Sequence, residues 1–382
     1  MNIKKLFYTM DTDAFESYIH NIKNDPGTIS VLPGKYFLFP DKEINDSIIQ
    51  LHRIHTEFDA VAHSFSDFSQ KQIIQSYLID EIQNTNEIEN IHTTRHDIFS
   101  VMNHVKKRPS DHHINSVLNS YALLLKQNDQ KLKELKDLRE QYDLLMQDAF
   151  EDEEDKPDGK YFRSKSVSIS DGLKTVYNGY YPEEKVIEGM KQFLSIYNNA
   201  SMDIYLRLII SHFMLETIHP FYDGNGRLGR YLFSRELYRQ ERSYAAFLIA
   251  SCINKQKSNY YKSFRETEDI HEYGCLNTYT DMFLKILSDG FSDEIMKLKE
   301  KESTLQNQIN EIPDDIRKSE RKILIVLLEA SIFTFFGISI DEIIKQTSSS
   351  KRTVIYALND LRKRNLLIET KFGRIIFHKA KL

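Results

Sequence analysis

The chain has 382 residues, 41% of them hydrophobic, and its 51 Lys and Arg against 56 Asp and Glu give a formal net charge of −5. That length predicts two or three domains with ordinary apolar cores. No apolar run reaches membrane-spanning length, since the strongest, Ile323 to Leu328, is broken by Glu329. The first residues, Met1 to Phe7, are followed by no apolar segment, so a signal peptide is not expected. Cys252 and Cys275 are the only cysteines, which excludes a disulfide framework and a cysteine-rich metal site. The expectation is a soluble, cytoplasmic protein with no membrane partner.

The periodicity is mostly helical. Helices are predicted near 46–64 and 68–88, and the second ends in Thr85-Asn86-Glu87-Ile88-Glu89-Asn90. Lys126 to Glu140 reads as a charged helix. The acidic run Glu151 to Asp155, followed by Lys156-Pro157-Asp158-Gly159, reads as a solvated turn. From Gly159 to Tyr181 the helical pattern is lost. There Val167, Ile169, Val176 and Tyr177 sit among Ser, Gly and Asn, which predicts a short β-hairpin.

An apolar helix is predicted over Ile204 to Ile218 and another over Leu228 to Arg239. Between them lies His219-Pro220-Phe221-Tyr222-Asp223-Gly224-Asn225-Gly226-Arg227-Leu228-Gly229-Arg230. Two glycines around Asn225 let successive N–H groups point at one spot, at the start of a helix, where an anion is favoured. Arg227 and Arg230 are three apart and share a helix face, so both can fork onto phosphate oxygens. Asp223 offers hard oxygens beside those phosphates, which suits Mg²⁺. His219 can take a proton from an attacking hydroxyl near neutral pH. Phe221 is expected to point inward and anchor the loop. Each part serves phosphoryl or nucleotidyl transfer.

The remaining helices are predicted to run to about residue 287 and carry the pair Tyr260-Tyr261. A charged helix follows near Asp293 to Ile312 and ends at Pro313. The last segment reads as a separate unit. Helices are expected at Arg321 to Glu329, Ser339 to Gln346 and Lys351 to Asn365, then strands at Leu366 to Thr370 and Arg374 to Lys379. Three helices and a hairpin resemble a winged helix-turn-helix. Residues 345–382 hold ten Lys/Arg against Asp360 and Glu369, a net of +8, so the rest of the chain carries −13. Such asymmetry fits a polyanion such as DNA, with Lys351, Arg352 and Thr353 opening the recognition helix and Arg374 in the wing. A basic unit that docks on protein, or on a second copy of itself as a homodimer, is the alternative.

The run His219 to Arg230 resembles the core motif of the Fic (filamentation induced by cAMP) family, HxFx(D/E)GNGRxxR, at every fixed position. The resemblance implies a protein adenylyltransferase that moves AMP from Mg²⁺-bound ATP to a Ser, Thr or Tyr hydroxyl of a target protein or of itself. It implies His219 as general base and Asp223 as Mg²⁺ ligand. Gly224, Asn225 and Gly226 would cradle phosphates with Leu228 and Gly229 in the same nest. Arg227 and Arg230 would bind the phosphate tail, with Arg230 on the γ-phosphate. Thr85, Glu89 and Asn90 match the family's inhibitory motif, (S/T)xxxE(G/N), so Glu89 would occupy the γ-phosphate's place beside Arg230. The hairpin resembles the family's flap, which aligns the target by main-chain pairing; Thr175 to Gly179 resembles its tip, with Val176 and Tyr177 at the nucleotide. Tyr260 and Tyr261 resemble the adenine-side contacts.

The expected fold is therefore mostly α: a Fic-type helical bundle with a β-hairpin flap and a C-terminal winged helix-turn-helix. The expected domains are 1–110 with the inhibitory motif, 111–312 catalytic with the flap near 159–181, and 313–382 as the winged helix. Three other functions stay open: transfer of UMP, phosphocholine or phosphate; removal of AMP through water oriented by Glu89; and DNA-binding regulation with the loop as a sensor.

Overall fold

A computed structural model of the chain describes residues 3–32, 34–102, 112–125, 130–147, 156–170, 175–373 and 375–381. Among these, sixteen α-helices and three two-stranded sheets give a mostly helical fold. No helix among the described residues is long and apolar enough to cross a membrane. The chain forms two compact units: Met1–His55 with Asp80–Phe291, and Thr56–Ile79 with Ser292–Leu382.

The first unit opens with α1 (Ile3–Thr9), α2 (Thr12–Lys23) and a hairpin of β1 (Ile29–Val31) and β2 (Tyr36–Leu38). Asp11 caps α2 by accepting from the N–H groups of Asp13 and Ala14. Ile3, Phe15, Ile19, Ile22, Phe37 and Cys275 form a small core beneath these elements. Then come α3 (Lys42–His63), α4 (Asp67–Ile88), α5 (Arg95–Met102), α6 (His112–Leu125) and α7 (Leu135–Met146). The helix expected over 126–140 is not formed as drawn. Gln130 to Lys133 is irregular, with Leu132 buried and its carbonyl accepting from Asn198 Nδ2 (2.7 Å). Glu134 and Asp137 then make a reciprocal capping box that starts α7 at Leu135.

The acidic run 151–155 lies outside the described residues. Just after it, β3 (Ser168–Ser170) pairs antiparallel with β4 (Thr175–Asn178), Ser168 opposite Asn178. Thr175 to Asn178 is thus a strand of the hairpin rather than its tip; residues 171–174 between the strands lie outside the described residues. α8 (Glu183–Tyr197), α9 (Ile204–Ile218) and α10 (Asn225–Glu241) follow, with α9 packed against both α8 and α10. Every residue of α9 except Glu216 is buried, as expected of a helix apolar on all sides. Asp203 caps its start by accepting from Tyr205 and Leu206 N–H. α11 (Ile249–Lys255), α12 (Lys257–Thr267) and α13 (Asn277–Asn310) complete this part of the chain. The break expected near residue 287 is absent, and α13 runs 34 residues. Gly290 serves packing instead: a Cβ there would come within 2.2 Å of Cys252 Sγ.

The second unit holds α14 (Lys318–Phe333), α15 (Ile340–Thr347), α16 (Lys351–Lys363) and the hairpin of β5 (Leu367–Phe372) and β6 (Ile375–Ala380). Its core takes Ile323, Leu327, Ile343, Val354, Leu358 and Leu361. Phe65 meets Phe333 edge-on at 5.0 Å, so residues 56–79 share that core. Ser339 and Glu342 form a capping box on α15, and Ser350 caps α16 by accepting from Thr353 N–H (3.1 Å).

Candidate active site

The His219 loop is locked from inside. Phe221 is fully buried and stacks on Tyr142 of α7 at 3.5 Å, and the Tyr142 hydroxyl donates to the Asp223 carbonyl (3.0 Å). Asn225 turns its amide onto the loop itself. Its Oδ1 accepts from Phe221 N–H (3.0 Å) and its Nδ2 donates to the Phe221 carbonyl (2.9 Å). The Asn225 side chain therefore fixes the turn, leaving backbone N–H groups to face an anion. Gly224 sits at φ +78° at the start of α10, and a Cβ there would strike Met146 Sδ at 2.6 Å. Both facts require glycine.

His219 is the left-handed C-cap of α9 at φ 53°. Its Nδ1 lies 3.3 Å from the Glu216 carbonyl. A carbonyl only accepts, so Nδ1 carries the proton and Nε2 is the basic atom of the ring. Burial, aided by the Arg163 guanidinium, lowers its pKa to about 4, so the imidazole is neutral at pH 7.

Arg163 was not foreseen from the sequence, yet it organises the loop. Its side chain is buried; Nε donates to the His219 carbonyl (2.8 Å), Nη1 to Lys165 (2.5 Å) and Nη2 to Tyr180 (2.7 Å). The base of the hairpin is thereby tied to the general-base candidate. Tyr180 N–H also donates to the Ile218 carbonyl (3.1 Å), and a Cβ on Gly179 would come within 3.3 Å of His219 Cβ. Asp158, expected in a solvated turn, accepts from the Tyr222 hydroxyl (2.7 Å) and from Ser164. A lone arginine in an otherwise polar hairpin segment was the only sequence signal for Arg163.

The two arginines are both paired. Arg227 Nη2 donates to Asp223 Oδ2 (2.6 Å). Arg230 is buried at 1% exposure and meets α4: Nε donates to Thr85 Oγ1 (2.8 Å), Nη2 to Glu89 Oε1 (2.6 Å). Glu89 lies just beyond α4, where Asn90 adopts φ 60°. Ile91 N–H returns to the Asn86 carbonyl (2.9 Å), and Lys257 Nζ donates to the Ile88 carbonyl (2.8 Å). A left-handed cap explains why Gly or Asn follows the glutamate. The Glu89 carboxylate presses on the glycine turn, since a Cβ on Gly226 would come within 2.2 Å of Oε1. An anion already sits where the turn favours one.

Two expectations about the far end of the loop need correction. Leu228 is fully buried and its N–H donates to the Gly224 carbonyl (2.9 Å), so neither its side chain nor its N–H faces a ligand. Gly229 faces α9, where a Cβ would meet His212 Nδ1 at 2.8 Å and Glu216 Oε1 at 2.9 Å; it permits close helix packing. Burial pushes the Glu216 carboxyl up to about 8, against the pull of Arg230, so it is protonated at neutral pH.

Tyr260 is also corrected. It is 3% exposed, and its hydroxyl lies 2.8 Å from His212 Nε2, because the face of α12 that carries Tyr260 and Phe264 packs inward, with Tyr260 against His212 and Phe283. Tyr261, half-buried, has Glu89 and Arg230 as its charged neighbours. Val176 and Tyr177 lie on β4, with Tyr177 opposite Ile169; their side chains lie outside the described residues. Arg374 also lies outside them. Lys351 and Arg352 are exposed on the first turn of α16, with Thr353 partly covered. Part of the basic character beyond Lys345 is spent internally: Arg362 pairs with Glu369 (2.7 Å), Arg364 with Asp315 (2.7 Å), and Lys379 donates to the Thr334 and Phe335 carbonyls.

Among the described residues no group of three or more His, Cys, Asp and Glu gathers as a metal cage. Asp223 is 55% exposed, with Oδ2 on Arg227. One exposed carboxylate of hard oxygens fits Mg²⁺, which binds through one or two carboxylates completed by phosphate oxygens and water.

Residues 132–237 match the model of the Fic/DOC family. A probable protein adenylyltransferase of Aquifex aeolicus is 30% identical over 103 residues, covering 22% of this chain. The chain spans 32% of the length of that relative. Among solved structures, a Fic family protein from Desulfovibrio desulfuricans is similar with a TM-score of 0.59 at 17% identity, over 89% of this chain and 96% of the other. Fic-1 residues 134–508 from C. elegans give 0.51 at 16% identity, over 79% of this chain and 81% of the other. At these identities the structures show likeness of fold. The segment Thr85–Asn90 falls outside the family match, whereas the whole loop from His219 to Arg230 lies inside the residues 132–237 that match the Fic/DOC family.

Proposed function

We propose that the chain is a protein adenylyltransferase acting on a Ser, Thr or Tyr hydroxyl of a target protein or of itself, with ATP as donor. The observation that carries the reading is the loop itself, where a neutral imidazole, an anion-seeking glycine turn and two paired guanidiniums stand within twelve residues. The target oxygen attacks the α-phosphorus and forms the new P–O bond. The bond to pyrophosphate breaks, and His219 Nε2 takes the hydroxyl proton. Arg227 and Arg230 disperse charge on the phosphates, and backbone N–H groups of the turn hold them. Asp223 would hold Mg²⁺, which would supply further charge neutralisation at the phosphates. The backbone of β4 at Val176 and Tyr177 lines up the target strand, and Tyr261 takes the adenine side.

Glu89 restrains this activity. Its carboxylate on Arg230 and against Gly226 stands where the terminal phosphate would lie, so ATP is held out of line for attack. Incorporation of labelled AMP in the presence of Mg²⁺ tests this. Glu89→Gly should transfer well above wild type. Arg230→Ala and the double variant should both fall below it, because Arg230 is needed to place the phosphate. Equal transfer by wild type and Glu89→Gly would refute the restraint.

A second reading concerns α14–α16 with the β5–β6 hairpin, proposed as a winged helix that binds DNA. The exposed Lys351 and Arg352 beside Thr353 favour it. Full-length protein should bind duplex DNA with affinity falling steeply as salt rises, and Lys351→Ala with Arg352→Ala should reduce both affinity and salt slope. Binding that ignores salt, or no binding, points instead to a protein partner.

A further inference from the structure

Glu81 lies on α4 one helical step of four before Thr85, on the same face, and Glu89 follows four residues later just beyond the helix. Glu81 is a fully buried carboxylate. Both its oxygens accept from Ala250 N–H (3.0 and 2.8 Å), and Oε1 also accepts from the hydroxyls of Tyr121 (3.2 Å) and Ser234 (3.4 Å). One side chain thus ties α4 to α6, α10 and the first turn of α11. The neighbouring turn adds a weaker tie, with Asn84 Nδ2 donating to Ser251 Oγ (3.0 Å). A buried carboxylate costs much to desolvate, and this one takes no direct part in the loop chemistry. Its donors are spread over three elements, so α4 satisfies them in one register only.

We propose that Glu81 is a positioning residue for the Glu89–Arg230 pair: its carboxylate fixes the register of α4 on the catalytic helices, and α4 shifts off Arg230 when that acceptor is lost. The proposal rests on the reading of Glu89 as the restraint. If α4 moves away, Glu81 is hydrated and its ordinary carboxylate pKa returns. When α4 is docked, burial raises that pKa to about 7, against the pull of Ala250 N–H, the Tyr121 hydroxyl and Arg230. The titratable groups facing Glu81 are the charged Arg230 from α10 and the un-ionised Tyr121 from α6. Docking therefore binds a proton. By linkage it is firmest below the ordinary carboxylate pKa and loosens as pH rises through about 7.

Labelled-AMP transfer by the full chain tests the proposal, each variant measured alone and with Glu89→Gly. Glu81→Leu keeps the bulk and removes the acceptor of three donors, so transfer should rise at least about tenfold, the factor for a single lost hydrogen bond to a charged group. Combined with Glu89→Gly it should give no further rise. Glu81→Gln keeps an acceptor for Ala250 and should stay restrained. Its restraint, taken as the Glu89→Gly to wild-type ratio in that background, should vary less between pH 6 and 8 than that of the parent chain. Glu216 also titrates there, and it remains in both backgrounds. Should Glu81→Leu fail to fold, Tyr121→Phe removes one donor and should raise transfer by a smaller factor. A rise in Glu89→Gly with none in Glu81→Leu or Tyr121→Phe overturns the positioning role and leaves the restraint standing. No rise in Glu89→Gly overturns both.

Discussion

Replacing Arg163 by Met probes how the hairpin base and the His219 loop depend on each other. The guanidinium makes three short bonds to carbonyls, on His219, Lys165 and Tyr180, and a longer one to Ile218 (3.4 Å). Hydrogen bonds to a charged donor contribute about 1.5–3 kcal/mol each, so the three short ones amount to roughly 4–9 kcal/mol gross. Burial works against this, since it pulls the Arg163 pKa down and a methionine of similar length recovers the desolvation. The net loss should be about 2–4 kcal/mol. For a chain of this size about 2 °C of melting temperature goes with each kcal/mol. The melting midpoint should thus fall by roughly 4–8 °C, read by calorimetry. Transfer should fall at least tenfold, because the carbonyl that holds the His219 backbone loses its donor. Arg163→Lys should recover part of the stability through one or two of the bonds and little of the activity. A variant with an unshifted midpoint and full transfer would refute the claim that Arg163 couples the two segments.

Three further outcomes follow from the geometry. Tyr142→Phe keeps the ring on Phe221 but loses the bond to the Asp223 carbonyl, so it should cost about 1 kcal/mol in denaturant unfolding and lower transfer modestly. His52 lies 2.6 Å from Asp203, the cap of α9, and that bond raises its pKa. A raised histidine stabilises the fold below its ordinary pKa near 6.5, and that gain is lost as pH rises through the raised value. Melting midpoints should therefore drop more from pH 6 to pH 9 in wild type than in His52→Gln. Gly229→Ala should reduce stability by about 1–3 kcal/mol, since its Cβ meets His212 and Glu216; a neutral result would mean α9 and α10 pack more loosely than described.

Much of this was legible in the sequence where one strong local signal decided the outcome. The all-apolar run gave α9 its two ends, and the loop from His219 to Arg230 gave its glycines and its arginines. Thr85 and Glu89 were legible for a different reason: they match the inhibitory motif of the family the loop resembles, and the structure brings both to Arg230. What escaped depended on contacts distant in sequence. Arg163 is 56 residues from the carbonyl it holds, and Glu81 is 169 from Ala250. The start of α7 was misjudged because the charge pattern of 126–140 looked helical, while the Glu134–Asp137 box and the buried Leu132 set the boundary. Tyr260 was matched to an adenine-side contact, while its burial depends on Phe283 of α13. Leu228 and Gly229 belonged to the motif by position, yet helix geometry buried Leu228 and turned Gly229 onto α9.

The most direct test of the central claim is the intact mass of purified protein after incubation with ATP and Mg²⁺. The Glu89→Gly chain should gain the mass of AMP, and the same chain carrying His219→Ala should gain none while still binding ATP, because the imidazole acts on the nucleophile and the anion-seeking turn is untouched. An AMP adduct of equal yield in both chains would contradict the role of His219, and no adduct in Glu89→Gly, alone or with a cell extract as target, would contradict adenylyl transfer itself.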